Sequence, residues 1–248
     1  MEKVTLITGG SRGIGRAPAL QLAAEGHWVC LSYLSRRELA ENVVEEIRQQ
    51  GGKALALQAD VADESSVRAL FTELDRRRLP LSGLVNNAGM LLPQSSIEHL
   101  DAARVNAILA TNVTGTLLCA REAVRRMARR HGGSGGAIVN VSSAAARLGA
   151  PHEYIDYAAS KGAVDTLILG LAKEVAPQGI RVNGVRPGFI DTDMHAAGGE
   201  PGRIARVQST LPMRRGGQPR EVAEAIAWLL SARASYVTGS FIDLAGGV

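Results

Sequence analysis

Aromatic residues are scarce in this 248-residue chain: Phe, Tyr and Trp together make up 4%. Proteins that stack successive bases of a single strand need interleaved aromatics, so that class of partner is disfavoured. Cysteine is rarer still, with Cys30 and Cys119 alone. Both sit in apolar stretches without metal-ligand spacing, which excludes a disulfide framework and reads as reduced core thiols. Lysine is nearly absent: of 28 basic residues only Lys3, Lys53, Lys161 and Lys173 are lysines. No run approaches the roughly 18 uninterrupted apolar residues of a membrane-spanning helix. Met1-Glu2-Lys3 leads straight into an apolar stretch that Gly9-Gly10 interrupts too early for a secretory signal, so a cytoplasmic location is expected. The five histidines are scattered, no pair has helical or hairpin spacing, and no metal site is expected.

What is present describes an ordinary globular chain, 46% hydrophobic and 21% charged. The net charge of +4 raises a nucleic-acid reading. Its densest cluster, Arg125-Arg126-Met127-Ala128-Arg129-Arg130, is expected on a helix, spread over one wide side as a solvated face or subunit contact.

Short apolar runs alternate with helical patterns throughout. Strands are expected over residues 4–8, 28–32, 54–58, 84–86, 137–141, 181–185 and 241–244. The first helix runs toward Gly26 with Pro18 inside it, where a missing amide should weaken or bend it. Ser35-Arg36-Arg37-Glu38 has capping-box spacing and should open the next helix, which ends at Gly51-Gly52. Asp63 should begin a third helix. Two helical segments flank Asn112, the first starting at Ser95-Ser96-Ile97-Glu98. A long helix spans 154–176, and Pro219 suits the first turn of a helix ending at Leu230. The order implies one α/β domain over 1–248: a Rossmann-type, doubly wound parallel sheet of about seven strands with helices on both faces.

The first strand-to-helix turn reads Thr8-Gly9-Gly10-Ser11-Arg12-Gly13-Ile14-Gly15. Glycines there let backbone approach a pyrophosphate, and the helix N-terminus supplies free amides and partial positive charge. The spacing is Gly-x3-Gly-x-Gly, not the commoner Gly-x-Gly-x2-Gly. Tyr157 and Lys161 lie four apart, on one helix face. A phenol with a pKa near 10 is a poor proton donor or acceptor at neutral pH until a neighbouring positive charge favours the phenolate, and Lys161 can supply it. Tyr154 has Ala158 in the corresponding place and is not assigned. Ser142-Ser143 ends the fifth strand, at the edge where ligands of doubly wound sheets bind.

These features, with Asn86-Asn87-Ala88-Gly89 and Pro187-Gly188, resemble the short-chain dehydrogenase/reductase family over essentially the full length. Within it the chain is most similar to bacterial reductases of the 3-oxoacyl-carrier-protein and glucose dehydrogenase kind. The resemblance implies a nicotinamide cofactor and hydride transfer to or from a carbonyl or alcohol carbon, with Tyr157 as general acid/base. Lys161 would tune Tyr157 and hold the nicotinamide ribose, and Ser143 would polarise the substrate oxygen. Ser143 to Tyr157 is one position longer than the family's usual spacing, so Ser142 stays an alternative. Asn112 would interrupt its helix and hold a water linking Lys161 to solvent. Gly9, Ser11, Gly13, Ile14 and Gly15 would hold the phosphates, Asp60 and Val61 the adenine, and Asn87, Ala88 and Gly89 the adenosine ribose. Pro187, Gly188, Ile190 and Thr192 would hold the nicotinamide. The end of the chain, Tyr236-Val237-Thr238-Gly239 and Gly246-Gly247, resembles a segment that packs on another subunit, and a homotetramer is expected.

NADP(H) is expected over NAD(H), because the second strand ends Ser32-Tyr33-Leu34-Ser35 without the acid that reads a free ribose. Arg12, Arg36 and Arg37 lie near it instead. With Ser35 as cap, the last two would occupy a first helical turn, where the macrodipole disfavours cations by about 0.3–1 kcal/mol each; a bound 2′-phosphate would reverse that. The segment 194–212, with Gly198, Gly199 and Gly202, is expected to form a mobile lid. The alternatives are an NAD(H)-preferring sugar or secondary-alcohol dehydrogenase, a non-catalytic nucleotide sensor, and a nucleic-acid binder carried by the basic surface. The substrate itself is not legible.

Overall fold

Seven apolar runs become strands because side chains on both faces find cover: β1 (Val4–Ile7), β2 (Trp28–Tyr33), β3 (Lys53–Gln58), β4 (Leu81–Asn86), β5 (Gly136–Val141), β6 (Ile180–Pro187) and β7 (Phe241–Leu244). The computed structural model describes residues 3–248; Met1 and Glu2, on which part of the export argument fell, lie outside the described residues. The strands form one sheet in the order β3-β2-β1-β4-β5-β6-β7, and every neighbouring pair is parallel. Parallel neighbours cannot be joined by tight turns, so the connections cross the faces as helices.

On one face α1 (Gly13–Ala24), α2 (Arg37–Gln49) and α10 (Pro219–Leu230) pack Leu22, Val43, Ile47, Val222 and Ile226 on Ile7, Val29 and Leu31. On the other, α3 (Glu64–Arg76), α5 (Gly115–Met127) and α7 (Ile155–Val175) pack Phe71, Leu74, Cys119, Met127 and Val175 on Leu6, Leu84 and Ile138. Fully burying one such side chain contributes about 1.5–3 kcal/mol. The remaining helices are α4 (Ala102–Leu109), which runs on toward α5, and the short α6 (Ala145–Leu148), α8 (Met194–Ala197) and α9 (Arg203–Val207), which follow β5 and β6 in the chain. The order reverses between β1 and β4, which opens the crevice where doubly wound sheets bind ligands.

Several local expectations are corrected. Ser35 does not cap α2: Arg36 holds the N-cap position without a side-chain cap, and the Arg37 amide turns back to the Ser35 carbonyl. The Ser95 box yields only a 3-10 turn, Ile97–His99, and α4 is capped instead by Asp101, whose carboxylate accepts from the Arg104 amide at 2.7 Å. Asn112, by contrast, does interrupt the α-helical pattern as expected: it sits in a π turn, Ala110–Thr114, between α4 and α5. Pro18 is buried within α1, which continues past it to Ala24. The expected arginine-rich helix face is split, because α5 ends at Met127 and Arg129 and Arg130 fall in a following 3-10 turn. Arg125 and Arg126 both pair with buried Glu122, and Arg126 also pairs with Asp75. Those charges are balanced by neighbouring carboxylates, which weakens the nucleic-acid reading. Asp63 does cap α3, accepting from the Ser65 and Ser66 amides, and Pro219 starts α10 with a Gln218–Glu221 capping box. Cys30 and Cys119 are buried, unpaired and pushed up to about 12 by burial. Among the described residues no helix is long and apolar enough to cross a membrane.

Candidate active site

A cavity of about 420 Å³ opens along the carboxyl ends of the strands. Its first wall is backbone. Gly9 and Gly13 have φ values of +64° and +52°, a left-handed conformation that favours glycine. A Cβ on Gly15 would lie 2.3 Å from the Gly9 carbonyl oxygen and 2.4 Å from Asn87 Nδ2, so only glycine lets α1 start this close to β1 and β4. Thr8 and Asn87 lock the wall. Thr8 Oγ1 accepts from the amides of Asn87 and Ala88 at 3.0 Å each, while Asn87 Nδ2 donates to the carbonyls of Thr8 and Gly9 at 2.9 Å each. No side chain caps α1, and its first residues, Gly13, Ile14 and Gly15, line the cavity. An uncapped N-terminus over a glycine cradle is a fitting receptor for a pyrophosphate. Ser11, Arg12, Arg36, Asp60, Val61, Ala88 and Gly89 line the same space. Asp60 Oδ1 accepts from the Ala62 amide at 2.9 Å. Arg37 does not line it; with α2 starting at Arg37, its side chain runs along the helix to within 3.6 Å of Glu41 and is largely solvated.

The second wall carries the titratable groups. Tyr157 and Lys161 both line the cavity, with Lys161 Nζ 5.6 Å from the phenol ring centroid. Nζ donates to the Val141 carbonyl at 2.8 Å, which anchors the ammonium to the end of β5. Burial pushes Tyr157 up to about 12, opposed by a hydrogen bond from Ser143. It also pushes Lys161 down to about 8, opposed by the Asp165 carboxylate. Desolvation is thus the largest influence on both groups.

Both serines line the cavity, but their partners differ. Ser142 is buried and its hydroxyl donates to Asp165 Oδ1 at 2.6 Å. Ser143 lines the cavity, approaches Tyr157, and accepts from the Ala145 amide at 3.1 Å. Within the Ser143–Tyr157 interval, between α6 and α7, Ala150 and His152 adopt positive φ. Asn112 is fully buried beside the cavity. Its Oδ1 accepts from the Met90 amide at 2.7 Å, and Nδ2 donates to the Met90 carbonyl and Ser160 Oγ, both at 3.0 Å. The π turn presents that amide inward, and it fastens the loop after β4 to α7 without touching Lys161 directly.

The third wall follows β6. Pro187, Gly188, Ile190 and Thr192 line the cavity together with Met194 and His195. His195, to which the sequence gives no role, has Nε2 2.8 Å from the Ile190 carbonyl oxygen. Met90, Leu91, Leu92 and Thr111 also line the space and escaped the sequence reading, because scattered apolar residues in a loop carry no periodic signal. The segment expected as a lid is latched. Arg203 of α9 is 7% exposed, pairs with Glu153 and Glu200, and stacks on Tyr154 and Phe189 at 5.0 and 5.3 Å. Tyr154, unassigned from the sequence, points away from the cavity and donates its hydroxyl to the Gly198 carbonyl at 3.1 Å.

The chain has relatives along essentially its whole length. A family model described as enoyl-(acyl carrier protein) reductase matches residues 9–248. An Escherichia coli K12 protein described as uncharacterized oxidoreductase YgfF is 64% identical over 98% of this chain and 99% of its own length. The 3-oxoacyl-[acyl-carrier-protein] reductase FabG of Staphylococcus aureus Mu50 is 38% identical over 100% of this chain and 98% of its own. Among solved structures, a Burkholderia cenocepacia short chain dehydrogenase in complex with NADP superposes with a TM-score of 0.90 at 33% identity, covering 99% of this chain and 97% of that one. A Serratia marcescens short-chain dehydrogenase/reductase variant gives the same score, identity and coverage. With a glycine cradle at the sheet's reversal, a Tyr–Lys pair opposite it and relatives matching from end to end, the chain belongs to the short-chain dehydrogenase/reductase family of NAD(P)-dependent oxidoreductases.

Proposed function

We propose that the protein is a single-domain NADP(H)-dependent oxidoreductase that interconverts a carbonyl and an alcohol, with Tyr157 as general acid/base. The observation that carries this reading is the convergence of Ser143, Tyr157 and Lys161 on one wall of a cavity whose opposite wall is the glycine turn of α1. When bound, the cofactor supplies two electrons and a hydrogen as hydride to the carbonyl carbon. The C=O π pair moves onto oxygen, and Tyr157 donates the proton that completes the alcohol. Ser143 donates to the same oxygen and polarises it. Lys161, as a buried ammonium, steadies the phenolate left behind and holds the nicotinamide ribose. Asn112 acts at one remove, holding the Met90 loop against α7.

The NADP preference rests on Arg12 and Arg36, which line the cavity beside the end of β2, where Ser32 and Tyr33 offer no carboxylate. Arg37 is left out of that site. The Burkholderia relative with bound NADP is consistent with it. A homotetramer is supported by exposed Leu109, Leu117 and Leu169 on α4, α5 and α7, and by fully exposed Tyr236; a monomer mass in light scattering at micromolar protein would contradict it. A cytoplasmic location suits the two unpaired thiols. Residues 194–212 act as the lid.

The test is turnover of purified protein with NADPH and with NADH on ketones, aldehydes, sugars and an acyl-carrier thioester. Tyr157→Phe should lose at least ~100-fold in kcat while NADPH still binds. Equal or better efficiency with NADH overturns the cofactor assignment, and a fully active Tyr157→Phe removes Tyr157 from the chemistry.

A further inference from the structure

Behind the proposed site lies a second row of charged side chains that the steps above do not use. Tyr157, Lys161 and Asp165 recur every four residues along α7 and so share one side of the helix. The Asp165 side chain is 14% exposed. One of its oxygens accepts from Ser142 Oγ at 2.6 Å, and the other accepts from Arg186 Nε at 2.9 Å. Ser142 Oγ also lies 3.3 Å from the Lys161 carbonyl oxygen. One carboxylate thus ties α7, which bears Tyr157 and Lys161, to the residue preceding Ser143 and to β6, which leads into Pro187-Gly188. Arg186 is itself held: its guanidinium lies 3.7 Å over the Phe241 ring, and Nη1 is 3.7 Å from Asp243, which faces Arg147 at 3.6 Å.

A mostly buried carboxylate is costly to keep charged without a partner, and Arg186 is that partner. The arrangement is more specific than a stability pair requires, because it also fixes a hydroxyl beside the reaction site. We propose that Asp165 is a positioning residue for hydride transfer: it clamps Ser142 so that Ser143 faces Tyr157, and its charge, one turn from Lys161 on the same side of α7, is balanced by Arg186. The catalytic half of this statement rests on the oxidoreductase reading; the electrostatic half does not. Burial pushes Lys161 toward its neutral form and Asp165 opposes that. The groups around it are Tyr157 and Asp165 on its own helix, Arg186 on β6, then Asp243 on β7 and Arg147 on α6. From α4 comes Arg104, already paired with Asp156 at 2.6 Å, and the end of β5 contributes the hydroxyls of Ser142 and Ser143.

The near-absence of lysine makes the test direct. With only three other lysines in the chain, Lys3, Lys53 and Lys173, the side-chain resonance of Lys161 can be followed by NMR through a pH titration without any turnover. Asp165→Asn keeps the shape and the acceptor for Ser142 but removes the negative charge and leaves Arg186 unbalanced. The Lys161 midpoint should fall by about one unit, a tenfold change in its proton affinity. Arg186→Gln leaves the carboxylate unopposed and should raise the midpoint. In steady state the alkaline limb of the kcat profile should move in the same two directions, and kcat at neutral pH should drop about tenfold in Asp165→Asn. Mere loosening of the helix would hydrate Lys161 and raise its midpoint in both variants. A midpoint that stays put or rises in Asp165→Asn overturns the proposal. If that variant does not fold, Asp165→Ala removes the same charge and carries the same expectation. Shifts in the NMR midpoint without turnover in the wild type would instead defeat the oxidoreductase reading and leave the electrostatic assignment intact.

Discussion

The two sides of the cleft are held by different forces. The β1–α1 side is fixed by backbone conformation, sterics and short hydrogen bonds, with Gly9 and Gly13 in the left-handed region, Gly15 leaving no room for a Cβ, and Asn87 and Thr8 closing the seam. The side formed by residues 190–217 is held by long side chains, above all Arg203 and Arg206 reaching Glu153 and Glu200. Sterics are indifferent to salt and pH, whereas ion pairs are not. One side therefore suits a ligand that never varies, and the other suits a partner that does.

Replacing Gly15 with Val should break the first side outright. Its Cβ would overlap the Gly9 carbonyl, and a loss on the order of 3 kcal/mol is expected from such overpacking. Denaturant unfolding within 0.5 kcal/mol of wild type, a threshold at the level of ordinary surface substitutions, would show that the turn is not sterically locked. Arg203→Ala tests the other side. It leaves Arg206 as the only cation on Glu153 and Glu200 among the described residues, with Gln94 still donating to Glu200, so kcat/KM for substrate should fall roughly tenfold, about 1.4 kcal/mol, while NADPH affinity stays unchanged. A matching loss in NADPH binding would mean that the two sides are not independent. Arg36→Glu should weaken NADPH binding by about tenfold through loss of a charge-assisted contact, and NADH binding much less; equal losses for both would detach Arg36 from the 2′-phosphate.

The smallest expected effect is on pH. The Arg206 hydrogen bond first, then its charge and Arg203, hold Glu200 down to about 2. A carboxylate depressed in this way contributes to the latch above its ordinary range near 4.3 and loses that contribution as pH falls toward 2. Fluorescence of a dye placed in residues 194–212 should therefore be unchanged between pH 7 and about pH 4, near the ordinary carboxylate range. Opening already between pH 5 and 6 would point to another group, with His195 the first to examine.

The comparison also explains what could be read in advance. The strands, the glycine turn, Tyr157, Lys161 and the Pro219 start are local patterns, in which a few neighbouring residues determine the backbone. The Ser35 and Ser95 boxes misled because capping spacing occurs by chance, and only the competing contacts of the folded chain decide which cap is used. Arg37 stands outside the cavity lining for a related reason: α2 starts one residue later than the Ser35 box implies, with Arg37 near Glu41. The choice between Ser142 and Ser143 depended on Asp165, 23 positions away from Ser142, and the latch joins residues some 50 positions apart. Pairings at that separation leave no periodic trace in a single sequence.

The π turn at Ala110–Thr114 has a consequence for the chain's tolerance of change. A π turn is one residue more than a regular helix needs, and each residue advances a helix by about 100°. Deleting any one residue between 110 and 114 would restore an uninterrupted α-helix and improve its local hydrogen bonding. It would also rotate everything downstream, swinging Cys119, Ala123 and Met127 out of the sheet contact and withdrawing Asn112 from Met90. The frame of the second face is thus keyed to a single surplus amino acid, and a shorter gene product at that point would have a better helix and a worse protein.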